Sequence, residues 1–473
     1  IAGYREHAGM QSTQATFKSV FKPHERTQLT LLLSSVDSPF ADDPGGLTAD
    51  QALENPRQAR AQALTFQTGE SVRHARTGLL LQKKYGRLDY GGRLFGALRQ
   101  LDNRLPFTAA GAVELRRAFA GAGAFAGYGA PIAGGAWRAQ AGLDAERQSD
   151  DRARYDNLRG ARGPRALDQQ EVFDKIGLWT VQQWTRGRWS AMGSLRADQI
   201  RVQAADRFLT DGDQSGEKIF RRLSPMFGCA WQTTHRQSLY ANISGNFETP
   251  TLNELSSTPQ NGGFAPLRPQ RAQSLEIGFK QAATRFLQAE IALFHIRLRD
   301  EIVSYQLPEF QGRNFFRNAG RSQRTGLELG LHFFPGARWS AAAAFTYSDF
   351  RYTNYVVNGQ SFNGRHLPGI PRSHAQGTVQ YRHKGRLVAA QSRYIGAIFV
   401  NDANDEQAAA AWLFHLRSAW AIPIKKRRIE ITAGVQNLLN RQYPGNILIN
   451  AAARRYYEPG AGRNWWIGLA VSW

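Results

Sequence analysis

Residues 464–473 alternate. Trp465, Ile467, Leu469, Val471 and Trp473 are apolar at every second position, with Gly468, Ala470 and Ser472 between them. A period of two puts one set on each face of a β-strand. A large apolar face backed by a small or polar face suits a strand standing between lipid and a wet lumen. A sandwich strand over an ordinary core has the same pattern, and this stretch alone leaves both readings open. The alternation recurs upstream: Leu327, Leu329, Leu331 and Phe333 oppose Gly326, Glu328, Gly330 and His332. Trp339, Ala341, Ala343, Phe345 and Tyr347 repeat it, as do the segments around Leu275, Ile429 and Trp137. The Gly-Ala-rich residues 118–130 carry the faintest pattern and are still read as a strand.

The spacing of these segments discriminates further. Short turns rich in Pro, Gly, Thr and basic residues fall at 23–26, 85–87, 131–136, 185–188, 232–236, 282–285, 335–338, 383–386 and 423–428. Long polar loops are expected near 37–70, 149–170, 203–217, 246–271, 303–315, 352–371, 399–409 and 439–464, with a shorter one near 101–111. Short turns at one end and long loops at the other is the asymmetry of an outer-membrane barrel, and a sandwich has no reason to segregate loop lengths. The expected fold is therefore all-β, a transmembrane antiparallel barrel. Two strands per short turn and one terminal strand make about 19. Single-chain bacterial barrels have an even number, so an N-terminal portion of one to three strands is expected to be missing.

Composition narrows the function. No run of 18 apolar residues exists, which excludes transmembrane helices. The mean hydropathy of −0.46 does not argue against a barrel, whose lipid face is hidden in the alternation. Aromatics reach 11%, and many stand near apparent strand ends, as interfacial girdles do. Cys229 is the one cysteine, so disulfide frameworks and cysteine metal sites are out. The formal charge of +22 is scattered arginine rather than a basic block, which disfavours nucleic acid. No nucleophile elbow or zinc-protease motif is present, and the chain does not read as an enzyme.

Candidate chemistry lies in the long loops. Arg313, Phe315, Phe316 and Arg317, then Tyr352 and Tyr355, then Arg454, Arg455, Tyr456 and Tyr457 mix guanidinium groups with aromatic rings. Arginine forks hold carboxylates or catecholates, and aromatic faces stack on planar ligands. The plainer reading of any one of them is interfacial girdle or lipopolysaccharide contact. The ten histidines are dispersed, with His366 the best-placed loop histidine for a haem ligand, and no metal or cofactor site is expected. Asp42, Asp43, Pro44, Gly45 and Gly46 read as a turn sooner than as a cation site.

Several segments together carry a family likeness. They are Gly3-Tyr4-Arg5-Glu6-His7, the stretch from Ser244 through Phe247, Pro250 and Glu254 to Leu255, and Ser274 to Lys280. Further on come Asn318-Ala319-Gly320 with Arg324 to Glu328, Leu367-Pro368-Gly369-Ile370-Pro371, Val435 to Leu439 with Tyr443, and Pro459-Gly460 with Gly462-Arg463-Asn464. In this order the chain resembles the barrel portion of TonB-dependent outer-membrane receptors of the siderophore or iron-complex type. Gln270 departs from the glutamate many relatives have there. The resemblance implies a 22-stranded barrel in the bacterial outer membrane, filled by an N-terminal plug. It also implies energy-coupled uptake of a ferric siderophore or similar iron chelate captured by the outer loops. Partners would be the TonB–ExbB–ExbD complex, reached through a missing N-terminal region, and outer-membrane lipid and lipopolysaccharide, around a monomeric barrel. Other scarce ligands of such receptors (cobalamin, haem, copper complexes) and a passive large-diameter porin stay as alternatives. On this reading residues 1–473 are one barrel domain, N-terminally truncated, with no plug.

Overall fold

The computed structural model describes residues 2–258, 264–282, 284, 286–310, 314–357, 359–424 and 427–472. Nineteen antiparallel strands form one sheet. The first nine are Met10–His24, Thr27–Asp42, Gly69–Tyr85, Leu88–Arg104, Ala112–Ile132, Gly135–Leu158, Ala161–Arg186, Trp189–Asp206 and Gly216–Thr234. They are followed by Gln237–Glu248, Gln270–Gln281, Leu287–Arg299, Arg321–Gly336 and Trp339–Asn354. The last five are Ser373–His383, Arg386–Ile395, Ala411–Ile424, Arg427–Gln436 and Asn464–Ser472. Each pairs with its neighbours in chain order, so the sheet is a continuous meander.

The expected short turns lie between paired strands, although those at 282–285 and 423–428 fall partly outside the described residues. At Lys384 and Gly385 both turn residues have positive φ, 43° and 75°. That is the geometry whose twist matches a two-residue hairpin.

The loop expected at 149–170 is a strand hairpin, reversed at Arg159 and Gly160 with φ of 54° and 93°. Its strands are 24 and 26 residues long, where about 9–11 suffice to cross a membrane. The part of the hairpin beyond the membrane-crossing length, around 149–170, therefore stands in water on both faces, and there the apolar alternation that marks a membrane strand is absent. Ion pairs replace it, as between Arg152 and the fully buried Glu171 at 2.7 Å. The expected loop at 303–315 likewise contains a small hairpin, Ile302–Gln306 paired with Asn314–Asn318.

The sheet has one apolar and one polar face. Leu98, Leu178, Leu223, Leu293, Ile467 and Leu469 are all more than half exposed and belong to the outward set. Such a band makes sense against lipid. Near the short turns it is edged by cross-strand aromatic pairs: Trp189 stacks on Trp231 at 5.7 Å, and Trp339 meets Tyr381 at 4.9 Å. The inward set is polar. Asp144 accepts from Arg93 at 2.8 Å and from Arg196 at 3.0 Å, and Arg196 also holds Asp198. The inner wall uses glycine to seat rings, since a Cβ at Gly278 would lie 2.4 Å from the Tyr240 ring.

The sheet curls round on itself. The loop between the second and third strands meets the loop before the last strand, where Leu47 and Tyr457 exchange backbone hydrogen bonds of 2.8 and 3.0 Å. Elements from the two ends of the sheet thus touch at the loop end. Among the described residues the edge strands Met10–His24 and Asn464–Ser472 do not pair with each other.

Candidate ligand site at the mouth of the barrel

The long loops fold over the mouth rather than trailing into solvent. Between Glu248 and Gln270 the chain forms the short helix Leu252–Ser256, started by a capping box in which Thr251 and Glu254 each satisfy the other's backbone N–H. Leu252, Leu255, Ala265 and Leu267 pack onto Ile200, Val202 and Phe220 of the inner wall.

A second group is organised by a carboxylate. Asp402 is 6% exposed and accepts from the Tyr352 hydroxyl at 2.8 Å and the Tyr355 hydroxyl at 3.2 Å. Asn450 donates to the same carboxylate at 3.2 Å and also reaches the Ser304 carbonyl. Arg317 donates to the Tyr355 oxygen at 3.1 Å and lies over the Tyr305 ring, 4.3 Å from its centre. Four loops therefore meet at one buried carboxylate. Burial, then the charge of Asp402, pushes the Tyr355 phenol up to about 12, with Arg317 opposing. Tyr352 is displaced upward in the same way.

A third group sits beside it. Glu406 accepts from Arg454 at 2.5 and 2.8 Å and from the Tyr457 hydroxyl at 2.8 Å. Burial and the Glu406 contact raise the Tyr457 phenol. Tyr456 is buried, and its hydroxyl receives a 3.3 Å bond from Asn401. In the 43–68 loop, Arg60 falls to about 10, first through burial and then through the charge of Arg455, against the pull of Asp43. Asp43 also accepts from the Gly45 N–H at 2.9 Å, which is the expected turn.

The structure thus gathers Arg317, Tyr352 and Tyr355 about Asp402, and Arg454, Tyr456 and Tyr457 about Glu406 and Asn401. Phe315 is fully buried against Tyr305, and Phe316 packs on the helix-covered wall. Arg455 stands by Gly46, where a Cβ would meet its carbonyl oxygen at 2.3 Å. Arg313 lies outside the described residues. His366 stacks on Phe399 at 5.5 Å, and its backbone N–H donates to Asn404. Sequence reasoning missed Asp402, Glu406, Asn401, Asn404 and Asn450. For Asn401, Asp402, Asn404 and the adjoining Glu406 the only signal was an Asn/Asp-rich run at 401–405, which reads as turn punctuation, and Asn450 carried none. Chemically, the buried phenols of Tyr352, Tyr355 and Tyr456 brace the loops from within, and the exposed guanidinium of Arg454 is left facing outward, suited to an anionic ligand.

A family model described as TonB dependent receptor-like, beta-barrel, matches residues 13–438. The chain belongs to that family. It is a family of transport receptors of the outer membrane, and the barrel read from the alternation is the barrel of a TonB-dependent receptor. Among curated proteins it is similar to a probable TonB-dependent siderophore receptor, PiuA, of Acinetobacter baumannii, 22% identical over 254 residues. That match takes in 50% of this chain and 32% of the relative, so the aligned part of this receptor spans about a third of that protein's length. Among solved structures it resembles the unliganded ferric citrate transporter FecA, with a TM-score of 0.82 at 18% identity over 99% of this chain and 71% of that one. The siderophore receptor PiuA from Acinetobacter baumannii follows at 0.78 and 14%, over 98% and 75%. The copper transporter OprC gives 0.76 and 17%, over 97% and 71%. At these identities the structural likeness is one of fold.

Proposed function

We propose that this TonB-dependent receptor takes up a ferric siderophore or similar anionic iron chelate across the bacterial outer membrane, driven by the TonB–ExbB–ExbD complex. The reading is carried by the loop bundle over the mouth, where Arg317 and Arg454 stand beside braced phenols. The siderophore and ferric citrate receptors among its relatives support it. Arg313, Phe315, Phe316, Tyr352, Tyr355, Arg455, Tyr456 and Tyr457 complete the proposed capture surface or hold it in place.

We also propose that residues 1–473 are a single barrel domain to which further strands and a lumen plug belong. The support is physical: neither Met10–His24 nor Asn464–Ser472 has a partner on its outer edge among the described residues. An unpaired edge is not sustained in lipid. Three added strands would make the cylinder 22-stranded, as the family resemblance implies.

The test is binding and uptake. The receptor embedded in outer-membrane vesicles is titrated with ferric citrate and with a ferric tris-catecholate, following tryptophan fluorescence. Cells that express or lack the gene are compared for uptake of the same iron-55 chelates, with and without TonB. The proposal expects saturable binding of an anionic ferric chelate, weakened about ten-fold or more by Arg317→Gln with Arg454→Gln, and TonB-dependent uptake. Uptake that is indifferent to TonB and linear in concentration would make the protein a passive pore.

A further inference from the structure

Below the capture loops, one stretch of the inner wall keeps its cations unpaired. Over other stretches lumen-facing cations meet carboxylates: Arg93 and Arg196 share Asp144, Arg117 holds Asp150, Arg138 holds Asp89, and Lys280 holds Glu290. The last five strands, Ser373–His383, Arg386–Ile395, Ala411–Ile424, Arg427–Gln436 and Asn464–Ser472, contain one carboxylate, Glu430, and Arg428 donates to it at 3.2 Å. Register places Ala389, Arg417, Gly434 and Trp466 in one row, Gln391 with His415 in the next, and Gln376 with Arg393 above that. Trp466 lies on the face opposite Trp465 and Ile467, so these rows face the lumen.

Arg393 and Arg417 are exposed, and among the described residues neither takes part in an ion pair. Arg393 gives its Nε–H to His374 Nε2 at 3.2 Å. That bond puts the His374 proton on Nδ1 and leaves the two guanidinium amino groups for another acceptor. His415 Nδ1 accepts the backbone N–H of Asn437 at 3.2 Å, so its free N–H is on Nε2. Asn437 is held in turn by its side chain, which donates to the Arg441 and Ala461 carbonyls at 2.8 and 3.1 Å. Beside Arg417 a Cβ at Gly434 would lie 2.6 Å from the Trp466 indole, so the glycine seats that ring against the strand. The strip thus offers fixed N–H donors beside an aromatic ring, and no free carboxylate on these strands competes for them.

The dimensions of the strip point to a ligand with more than one anionic group. Arg393 stands opposite Leu413, four residues from Arg417, a separation of about 14 Å along the strand. His374 precedes the turn residue His383 by nine positions, close to the roughly 9–11 residues of a crossing, which puts the top of the strip just under the mouth. We propose that His374, Arg393, His415, Arg417 and Trp466 form a second subsite, inside the lumen, that receives the carboxylates of a polyanionic ferric chelate after the mouth releases it. Each arginine fork can take one carboxylate through two N–H donors. The imidazole N–H groups add neutral donors between them, and Trp466 closes the lower end. The inference rests on the proposed uptake of an anionic chelate and adds where the anion goes after capture.

The experiment uses the receptor in detergent micelles, with folding checked by heat-modifiable gel mobility. Ferric citrate, iron-free citrate and an uncharged ferric trihydroxamate are each titrated, and the quenching of Trp466 is read as the difference between the parent and Trp466→Phe. Ferric citrate should quench Trp466 saturably, about ten-fold more tightly than citrate alone, because only the larger complex spans both arginines. The uncharged chelate should not quench it. Arg393→Gln/Arg417→Gln should weaken the signal about ten-fold, and the double lysine variant should retain part of it, because charge survives without the fork. If the double glutamine variant does not fold, Arg417→Gln alone should weaken it roughly three-fold. Arg317→Gln/Arg454→Gln separates the two readings. Total binding falls while the Trp466 affinity holds if both stand, and unchanged total binding with a retained Trp466 signal overturns capture at the mouth alone. Equal quenching by citrate or by the uncharged chelate, no Trp466 quenching by ferric citrate, or an unchanged Trp466 signal in the glutamine variants would each overturn the lumen subsite.

Discussion

Asp402 illustrates how much of the mouth depends on single residues. Its two carboxylate oxygens take the Tyr352 and Tyr355 hydroxyls, and Asn450 closes the contact from another loop. Removing it in Asp402→Ala leaves two buried phenols without an acceptor, a local loss of roughly 2–4 kcal/mol. Hydrogen exchange should then speed up in the loops at 355–372 and 396–410 while the barrel strands stay protected; unchanged exchange there would mean that packing alone holds the loops. The same contact has an alkaline signature. Tyr355 in the folded loops holds its proton up to about 12. Its contribution to stability is thus complete below the ordinary tyrosine value near 10 and lost as pH rises through the folded value. Absorbance at 295 nm should show late-ionising tyrosines above the ordinary value near 10, with an amplitude reduced by one tyrosine in Tyr355→Phe and not abolished, because Tyr352 and Tyr457 are raised as well. His366 has the opposite sense. Burial first, then Arg351 and Arg372, lower its pKa, so the unfolded chain binds the proton more readily. The contribution is present above the ordinary histidine range and lost as pH falls through it toward the folded value. Protease cleavage of the 355–372 loop should rise on acidification in the parent and not in His366→Phe.

At the scale of elements, the long hairpin from Gly135–Leu158 to Ala161–Arg186 is the sharpest departure from the sequence pattern. In a membrane strand each residue chooses between lipid and lumen, so hydrophobicity alternates and can be read. Beyond the bilayer both faces meet water, and polar residues serve equally well on either. The strands persist because cross-strand partners hold them, among them Arg117 with Asp150 and Arg152 with Glu171. Substituting Glu171→Gln alone strands the buried Arg152 charge and should cost roughly 3–5 kcal/mol of local stability. Replacing both partners, Arg152→Met with Glu171→Leu, should cost clearly less. A double-mutant cycle on the rate of proteolysis near Arg159 distinguishes these outcomes, and additive losses would mean that the pair is not coupled. The glycine-rich strand Ala112–Ile132 was legible for the converse reason, since its flanking turn and loop marked it although its own pattern was faint.

For the molecule as a whole, stability follows from strand pairing. Every interior strand of the sheet is paired on both sides, whereas Met10–His24 and Asn464–Ser472 are each paired on one. In micelles the amides of those two strands should exchange orders of magnitude faster than those of Ala161–Arg186, because an unpaired edge frays first. Adding the strands proposed to close the cylinder should protect both edges together. If the edges are already as protected as the centre, the two ends pair directly and no strand is needed between them.

The sequence by itself determined the architecture: alternation with period two, nine short turns and the long loops between them specify strands, their order and the face that meets lipid. Those properties are local, because side-chain direction in a strand follows from position alone. It also singled out the arginines and aromatics of the loops by residue type. Tertiary structure decided how they are used. Which phenol meets Asp402, which arginine meets Glu406, and which arginines stand unpaired on the inner wall depend on register and loop folding between residues tens of positions apart. A contact of that kind leaves no periodic trace along the chain, since either partner alone looks like any other polar residue in a loop or at a strand end.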